Sequence, residues 1–394
     1  MNKPEMNIVY VGLSGFPFGY AAISRQKLIC QGLQRAGASV SIVCSRAVFR
    51  DSRMKSRLGE FEGLSYRYVV NPKRSDSFII RNLLRLSEPW RELICLYKMN
   101  RQKKISHLLV SHNNEMMKSI WYFLVSKLIR SKVVFSLVEL YEPGYAKSFT
   151  AKLNHFFFLR VGLRFYDAFL PISGFIADFF KDVPRPSLLV PIMVDFERVS
   201  SVSSSAESIV PRFVFCGAAG YPNTIQFCIQ SFELMKHPRA ELYIVAGGSD
   251  SEVNWVKDLI HQSPKSDRIK HSMNLSEEDL FKLYKSSSAL LIPLFNTVKD
   301  RARFPHKLGE YLATGRPVIS TDGGEIAGYL ENGKQGLFAE SGNVNQFASC
   351  MDYVIENPKE AERIGLEGQI ICKSQFSHIN LGLLLYDFLK NRCG

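Results

Sequence analysis

A short pattern that occurs twice constrains the fold of this chain more than any other feature. Residues 9–17 and 214–222 match each other in residue class at every position. Each copy begins as an apolar strand, turns at a GxxG sequence and continues with an aromatic residue and a proline. Because glycine turns after buried strands are typical of Rossmann-like domains, the repeat predicts two such domains in succession.

The residues around the first copy predict a βαβ unit. A short β-branched strand closes on Gly12, a helical stretch ends at Gly37, and a second strand follows at 39–44. This order of elements places helices on the faces of a parallel sheet. Further strands of this domain are predicted at 107–111, 132–138 and 168–172.

The second copy opens a similar run of elements. Between the two copies, residues 200–207 are rich in serine and form the most linker-like stretch of the chain. We therefore predict two doubly wound α/β domains, residues 1–195 and 196–394, with the last helix able to pack back on the first domain. Strands of the second domain are predicted at 241–246, 289–293, 317–320 and 336–338.

The glycines of the two turns are candidate ligand contacts. In doubly wound folds ligands bind at the carboxyl ends of the strands, where glycine lets the backbone approach them. Gly15 lies there in the first domain, and Gly217 and Gly220 in the second. Neither turn is a full GxGxxG, and taken alone such glycines often serve only the turn.

Residues 301–320 combine a predicted helix start with a cluster of cations. Pro305 fits the first helical position, and Gly315 fits the end of the helix. Between them, an apolar set is predicted to face the core: Leu308, Tyr311 and Leu312.

The polar residues of this helix suggest a diphosphate site. Arg301, Arg303, His306 and Lys307 gather around the predicted helix N-terminus, where anions bind well. Glu310, one turn deeper, can accept hydrogen bonds from ribose hydroxyls. The alternative is a solvated basic loop followed by an ordinary Lys–Glu pair within the helix.

Residues 304–318 resemble the signature helix of the group 1 family of retaining GT-B glycosyltransferases. The resemblance implies two Rossmann-like domains that face each other across a cleft, with Glu310 as the ribose-binding second glutamate of the family's pair. The first glutamate would fall at Ala302. This departure affects the usual contact to the donor sugar, for which Asp300 or the arginines are candidate replacements. Segments at 15–25, 167–173 and 190–195 resemble further parts of the family.

The resemblance also implies residue roles in both domains. Glu139, after the strand at 132–138, is the candidate catalytic carboxylate, and Lys307 is the candidate that stabilises the leaving nucleotide. A carboxylate at 139 could equally bind only an acceptor hydroxyl. The candidate acceptor-binding residues are Phe18, Arg25, His112 and Glu142.

The charge of the chain is unevenly distributed. The formal net charge is +13, and residues 1–185 carry 29 Lys/Arg against 13 Asp/Glu. Residues 77–104 and 153–165 mix these cations with aliphatic and aromatic residues, which suits an anionic lipid surface. The alternative is that both are ordinary core helices with solvated outer faces. No recognisable nucleic-acid-binding motif occurs, so nucleic acid is the less favoured partner.

We therefore predict a retaining, metal-independent glycosyltransferase that uses a nucleotide-sugar donor. No Asp-x-Asp motif occurs in the sequence, and no metal or other cofactor is expected. The predicted acceptor is membrane-associated or belongs to polysaccharide or lipopolysaccharide assembly, and the predicted location is cytoplasmic, at the inner face of the membrane. Two alternatives stay open: a non-catalytic nucleotide-sugar-binding subunit, and a nucleotide-sugar epimerase on the same fold.

Overall fold

The structure is a computed structural model, which describes residues 6–19, 21–46, 56–71, 77–112, 114–139, 148–203 and 210–393. The chain divides into two compact units. The first unit comprises Met1–Met193 and His378–Gly394, and the second comprises Val194–Ser377. Predicted site residue Glu142 and part of the predicted linker lie outside the described residues.

The described part of the first unit is built on a seven-stranded sheet. Its strands are β1 (Asn7–Val11), β2 (Ser39–Cys44), β3 (Leu58–Phe61), β4 (Leu64–Tyr68), β5 (His107–Val110), β6 (Lys132–Leu137) and β7 (Ala168–Pro171). The strand order is β3-β4-β2-β1-β5-β6-β7, and among the described strands of this sheet only β3 and β4 pair antiparallel. The order reverses at β1, so the carboxyl ends of β1 and β5 form a switch point.

Helices cover this sheet. They are α1 (Ala21–Arg35), α2 (Phe78–Gln102), α3 (Met116–Ile129), α4 (Phe149–Arg160), α5 (Gly174–Phe180) and, from the end of the chain, α14 (His378–Arg392). Helix α1 packs against α14, whereas α2 packs against α3 and α3 against α4. The contact of α1 with α14 is close, because a Cβ on Gly382 would lie 2.3 Å from the backbone of Gly32. The last helix therefore belongs to the core of the first unit.

The second unit holds a six-stranded parallel sheet. Its strands are β8 (Arg212–Ala218), β9 (Glu241–Gly247), β10 (Ile269–Ser272), β11 (Ala289–Ile292), β12 (Val318–Thr321) and β13 (Leu337–Ala339), in the order β10-β9-β8-β11-β12-β13. The helices are α6 (Phe196–Ser200), α7 (Pro222–Leu234), α8 (Asp250–Gln262), α9 (Glu277–Lys285), α10 (Val298–Ala302), α11 (Lys307–Ala313), α12 (Val344–Glu356) and α13 (Pro358–Ile371). Both sheets are α/β layers of the predicted kind.

Most predicted strands occur within a residue or two of their predicted ends. The strands β3, β4 and β10 were not predicted. The short sequences of β3 and β10 lack a regular alternation, whereas β4 alternates apolar and polar residues and was missed. The helix expected to start at Pro305 starts at Lys307 instead. Among the described residues, no helix combines the length and apolar character needed to cross a membrane.

Candidate functional site

The glycine turn of the second unit follows β8. The strand ends at Ala218, and the next backbone N–H, of Ala219, donates to the carbonyl of Gly247 at 2.9 Å. Gly220 is exposed, and Tyr221 precedes Pro222, the first residue of α7. The predicted donor contacts Gly217 and Gly220 therefore lie at the carboxyl edge of the sheet, where doubly wound folds bind ligands.

The predicted pair of Lys307 and Glu310 forms at the start of α11. Lys307 Nζ lies 2.8 Å from Glu310 Oε2, and both side chains are partly buried. Burial lowers the pKa of Lys307, but the carboxylate of Glu310 opposes this effect, and the net result is a raised pKa. Lys307 is therefore held as a cation, ready to contact a negatively charged group.

A hydrogen bond connects this helix to the end of β8, directly before the first glycine of the turn. The hydroxyl of Tyr311, the residue after Glu310, accepts the backbone N–H of Cys216 at 2.8 Å. Tyr311 is fully buried and packs edge-to-face on Tyr284. Residues Leu308 and Leu312 are also fully buried, which confirms the predicted core face of the helix. The Lys307–Glu310 pair and the turn after β8 are thus parts of one packed structure.

The other predicted donor-binding residues precede α11. Arg301 is exposed, while Arg303 and His306 are partly buried. Arg303 forms a 2.6 Å ion pair with Asp300, and its guanidinium lies 4.4 Å from the centroid of the Tyr221 ring. Of these three cations, Arg303 lies beside the turn, where it contacts Tyr221 and already has a carboxylate partner.

Two residues at this place were not predicted. The ammonium of Lys299 lies 4.5 Å from the centroid of the Tyr221 ring, so the ring contacts two cations. Tyr221 could have been singled out from the sequence, because it directly follows the glycine turn. Lys299 gave no such signal, since nothing in the sequence relates it to a residue 78 positions earlier.

The structure shows what surrounds the missing first glutamate. Ala302 is fully buried, and Asp300 is only 5% exposed. One oxygen of Asp300 accepts the backbone N–H of Phe295 at 2.9 Å, and the other pairs with Arg303. Asp300 is therefore engaged within the unit, which does not fit the role of a free replacement for that glutamate.

The glycine turn of the first unit is built differently. Gly12 has a φ of +94°, and a Cβ at this position would lie 2.3 Å from the carbonyl oxygen of Ser111, so only glycine fits. Gly15 has a φ of +98°, and its N–H donates to the carbonyl of Arg46 at 3.1 Å. Phe18 is partly buried and packs edge-to-face against Phe61.

The predicted acceptor contact of Arg25 needs correction. Arg25 is only 1% exposed, and its guanidinium donates to the carbonyls of Val190 and Pro191, both at 2.6 Å. Burial lowers its pKa to about 10, partly opposed by Tyr10. Arg25 therefore fixes the chain just before it leaves the first unit, which is a structural role that its place in the sequence did not reveal.

The predicted acceptor contact of His112 also needs correction. Its Nδ1 accepts the backbone N–H of Glu115 at 3.1 Å, so the ring proton lies on Nε2, which donates to Tyr166 at 2.7 Å. Tyr166 in turn donates to Ser119. Burial lowers the pKa of His112 to about 3. The ring is neutral and both of its nitrogens are engaged within the first unit.

Glu139 lies two residues after the end of β6, close to where the sequence predicted it. It is partly buried, and its backbone carbonyl accepts the side-chain N–H of Asn114 at 3.1 Å. Asn114 itself has a φ of +54° and accepts at its carbonyl from Asn154. The backbone of Glu139 is thus fixed at the carboxyl edge of the first sheet.

Metal-ligating side chains do not cluster in the part of the chain that the structure describes. No group of three or more His, Cys, Asp or Glu is arranged there to hold a metal ion. Metal independence stays a prediction that only an assay can test.

Comparison with known proteins agrees with this arrangement. Residues 204–370 match the family model described as glycosyl transferases group 1. This range contains the glycine turn after β8 and the Lys307–Glu310 pair. Compared by sequence with curated proteins, the chain matches none of them.

Solved structures share the fold along nearly the whole chain. Sucrose-phosphate synthase from Thermosynechococcus elongatus has a TM-score of 0.78 at 12% identity, with 98% of each chain covered. HepE from Anabaena, in complex with UDP-glucose, has a TM-score of 0.69 at 13% identity, covering 98% of this chain and 99% of that one. The lipopolysaccharide outer core galactosyltransferase WaaB has a TM-score of 0.65 at 13% identity, with the same coverage. Most of the second unit therefore matches the group 1 glycosyltransferase family, and the chain shares the GT-B fold with these solved structures along nearly its whole length.

Proposed function

We propose that this enzyme transfers a sugar, with retention of configuration and without a metal, from a nucleotide-sugar donor to a membrane-associated glycan acceptor. The observation that carries the donor part is the Lys307–Glu310 pair, tied through Tyr311 to the glycine turn after β8. The related fold of HepE binds UDP-glucose, which supports a nucleotide-sugar donor for this chain.

The chemistry explains why a cation is needed at this place. When the bond between the sugar and the diphosphate breaks, negative charge develops on the leaving oxygen. A preorganised positive side chain stabilises that charge. Lys307 can supply it, because its raised pKa keeps it protonated at neutral pH. In this arrangement Glu310 accepts hydrogen bonds from the ribose hydroxyls.

Glu139 is the proposed carboxylate of the first unit. As the sugar separates from its leaving group, positive charge develops at the anomeric carbon, and a carboxylate can stabilise it. Glu139 lies at the edge of the sheet where ligands bind, and its backbone is fixed by Asn114. In this proposal Glu139 either stabilises that charge or orients the acceptor hydroxyl.

The proposed membrane contact is based on the outer surface of α2, α3 and α4, which we call the apolar layer. On α2, large apolar side chains face solvent in the first turn and then every three or four residues from Ile80 onward. Those exposed by 46–75% are Phe78, Ile79, Ile80, Leu83, Leu86, Trp90, Ile94 and Tyr97. Further exposed members on the other two helices are Met117, Leu124, Leu128, Phe149, Leu153, Phe156 and Phe157. Soluble monomers rarely expose so much contiguous apolar surface, so the layer indicates a docking surface.

The charge of the apolar layer supports an anionic bilayer as its occupant. Exposed cations lie on the same helices and directly after them: Arg85, Arg91, Lys98, Arg101, Lys103, Lys104, Lys127, Arg130, Lys152 and Arg160. Aromatic and aliphatic side chains enter the headgroup region while Lys and Arg contact lipid phosphates. An enzyme held in this way would meet a lipid-linked or lipopolysaccharide acceptor at the surface.

A panel of nucleotide sugars tests the donor part. Binding to the folded protein raises its melting temperature, by an amount that grows with ligand excess over Kd. We expect one base and sugar to stand out, with NMR of the transferred sugar showing the donor's anomeric configuration, and with EDTA leaving turnover unchanged. A product with inverted anomeric configuration would reject retention. Activity that depends on a divalent ion would reject metal independence. Binding without transfer, or isomerisation without an acceptor, would favour the binding subunit or the epimerase.

Vesicle flotation tests the membrane part. Each cation near an anionic surface contributes about 1 kcal/mol, and salt screens this attraction. We expect the enzyme to float with anionic vesicles, weakly with neutral ones, and less in roughly half-molar salt. Replacing Arg85, Arg91 and Lys98 together by glutamate should release it.

A matched control keeps the change in net charge the same. Arg239, Lys257 and Lys359 are exposed cations of the second unit, and their joint replacement by glutamate should leave flotation intact. If both triple variants lost flotation equally, the effect would come from the overall charge of the protein. The apolar layer would then be rejected as the membrane contact.

A further inference from the structure

Tyr221 occupies an unusual place in the second unit. It directly follows the glycine turn, is partly buried, and lies at the N-terminal boundary of α7. Two cations from a segment far along the chain contact its ring: Lys299 Nζ lies 4.5 Å and the Arg303 guanidinium 4.4 Å from the ring centroid. A single aromatic ring therefore holds two positive charges beside the turn.

The cation of Arg303 is fixed from its other side as well. Its carboxylate partner Asp300 is buried, and one oxygen of that carboxylate lies 2.6 Å from the guanidinium. The second oxygen accepts a hydrogen bond from a backbone N–H. The backbone N–H of Asp300 itself donates to the Thr297 hydroxyl at 3.1 Å. Asp300 neutralises only one of the two cations, so a net positive charge remains at Tyr221.

The glycine turn has no positive charge of its own, so a charge that binds an anion there has to come from another segment of the chain. Residues 217–220 read Gly-Ala-Ala-Gly and carry no charged side chain. The two cations repel each other, and without the attraction of the ring the flexible stem of Lys299 would sample many rotamers in solvent. The π system of the ring attracts both cations, which favours a single arrangement.

We propose that Tyr221 is a positioning residue, which holds Lys299 and Arg303 beside the glycine turn so that together they bind the diphosphate of the donor. The inference deepens the proposed function and rests on it for the identity of the donor, though not for the anion site itself. The contact uses the ring face rather than the hydroxyl. Phenylalanine should therefore replace Tyr221 in this role, whereas leucine, of comparable bulk but without a π face, should not.

Chemical labelling of lysines in the full-length protein tests the anion site without a known donor. Acetic anhydride is applied with and without inorganic pyrophosphate, and each lysine is followed by mass spectrometry. In the wild-type protein pyrophosphate should slow the labelling of Lys299 on the order of tenfold, the range expected of a cation contact. The exposed Lys257 and Lys359 serve as internal controls and should label at the same rate throughout.

The two substitutions then separate the ring from the hydroxyl. Tyr221→Phe should keep the protection of Lys299, and Tyr221→Leu should lose most of it. Should Tyr221→Leu not fold, Lys299→Gln and Arg303→Gln replace it, with calorimetric titration of pyrophosphate as the readout. Each should then bind the anion several-fold more weakly. Absence of protection in the wild-type protein, or equal protection in the Phe and Leu variants, would overturn the inference.

A kinetic measurement separates this inference from the proposed function. With a donor in hand, Tyr221→Leu should raise the donor KM on the order of tenfold, and Tyr221→Phe should restore it. If pyrophosphate protects Lys299 but no nucleotide sugar binds, the proposed function fails and the anion site stands. If a nucleotide sugar binds and pyrophosphate gives no protection, the proposed function stands and the role of Tyr221 fails.

Discussion

The two glycine turns share a sequence pattern but differ in structure. In the first unit both glycines adopt positive φ, and the following aromatic residue, Phe16, is completely buried, with its carbonyl accepting a hydrogen bond from the Tyr68 hydroxyl. In the second unit neither Gly217 nor Gly220 has a positive φ. There the matching aromatic residue, Tyr221, is partly exposed and contacts two cations.

The proline after each aromatic residue differs in the same way. Pro17 lies within a loop before α1, whereas Pro222 is the first residue of α7. The same residue classes thus place the first aromatic residue in a core and leave the second partly exposed. A repeated motif indicates a shared strand-turn geometry, whereas the residues around each copy decide whether its aromatic side chain is buried.

The largest expected effect tests whether the chemistry takes place at the glycine turn of the second unit and at α11. Lys307→Ala should lower turnover by roughly 10²–10³, because a preorganised cation at the leaving diphosphate is lost. Steady-state kinetics with saturating donor measures it. Lys27→Ala provides the matched control, since it removes a partly buried Lys–Glu pair of the first unit, 3.0 Å apart. Comparable losses in the two variants would contradict the assignment.

The second prediction compares the glycines themselves. Gly12→Ala forces a Cβ against a backbone carbonyl at a positive φ, so it should cost about 2–4 kcal/mol of stability. Gly220→Ala meets only the end of the Glu252 side chain, which can move, and should cost less than about 1 kcal/mol. Urea denaturation measures both. A Gly220 variant as unstable as the Gly12 variant would remove the contrast between the turns.

The third prediction concerns a buried carboxyl of the first unit, between α2 and α3. Burial raises the pKa of Glu92 to about 7, although the Tyr122 hydroxyl donates to both of its oxygens and lowers it. Because the folded state then binds the proton more tightly than the unfolded state, stability falls as the pH rises from about 4.5 to about 7. Glu92→Gln removes this loss.

The expected change is therefore a function of pH. Glu92→Gln should stabilise the protein by about 1–3 kcal/mol at pH 8 and leave it nearly unchanged at pH 4.5. Urea midpoints at the two pH values measure it, with Glu88→Gln, one turn away on α2 and paired with Arg46, as the comparison variant. A stabilisation that does not depend on pH would show that Glu92 is not protonated in the folded state.

The smallest expected effect exchanges the two aromatic residues for leucine. Phe16→Leu should cost about 1–2 kcal/mol, because Phe16 is fully buried against Phe61 and Tyr66. Tyr221→Leu should change stability by less than about 0.5 kcal/mol, since its ring is partly exposed. Thermal and urea unfolding of both variants tests this. If Tyr221→Leu proved the more destabilising, Tyr221 would be a core residue.

The sequence determined the local structure of this protein to a large extent. Apolar runs closed by glycine located the strands β1 and β8, and Leu308, Tyr311 and Leu312 identified the buried face of α11 before the structure did. The spacing of Lys307 and Glu310 was enough to predict their contact, since residues three apart are neighbours on any helix. Such features depend on local geometry, which nearby residues specify.

Only the tertiary structure decided which polar residues are free to act. Arg25 and His112 read as ligands in the sequence, yet each is buried and bonded to backbone or side chains far along the chain. The pairing of Tyr221 with Lys299 and Arg303 likewise joins segments that the sequence does not relate. A sequence specifies the type and order of its elements through short-range periodicity. The burial and partners of a side chain arise instead from long-range packing of those elements, which no local pattern records.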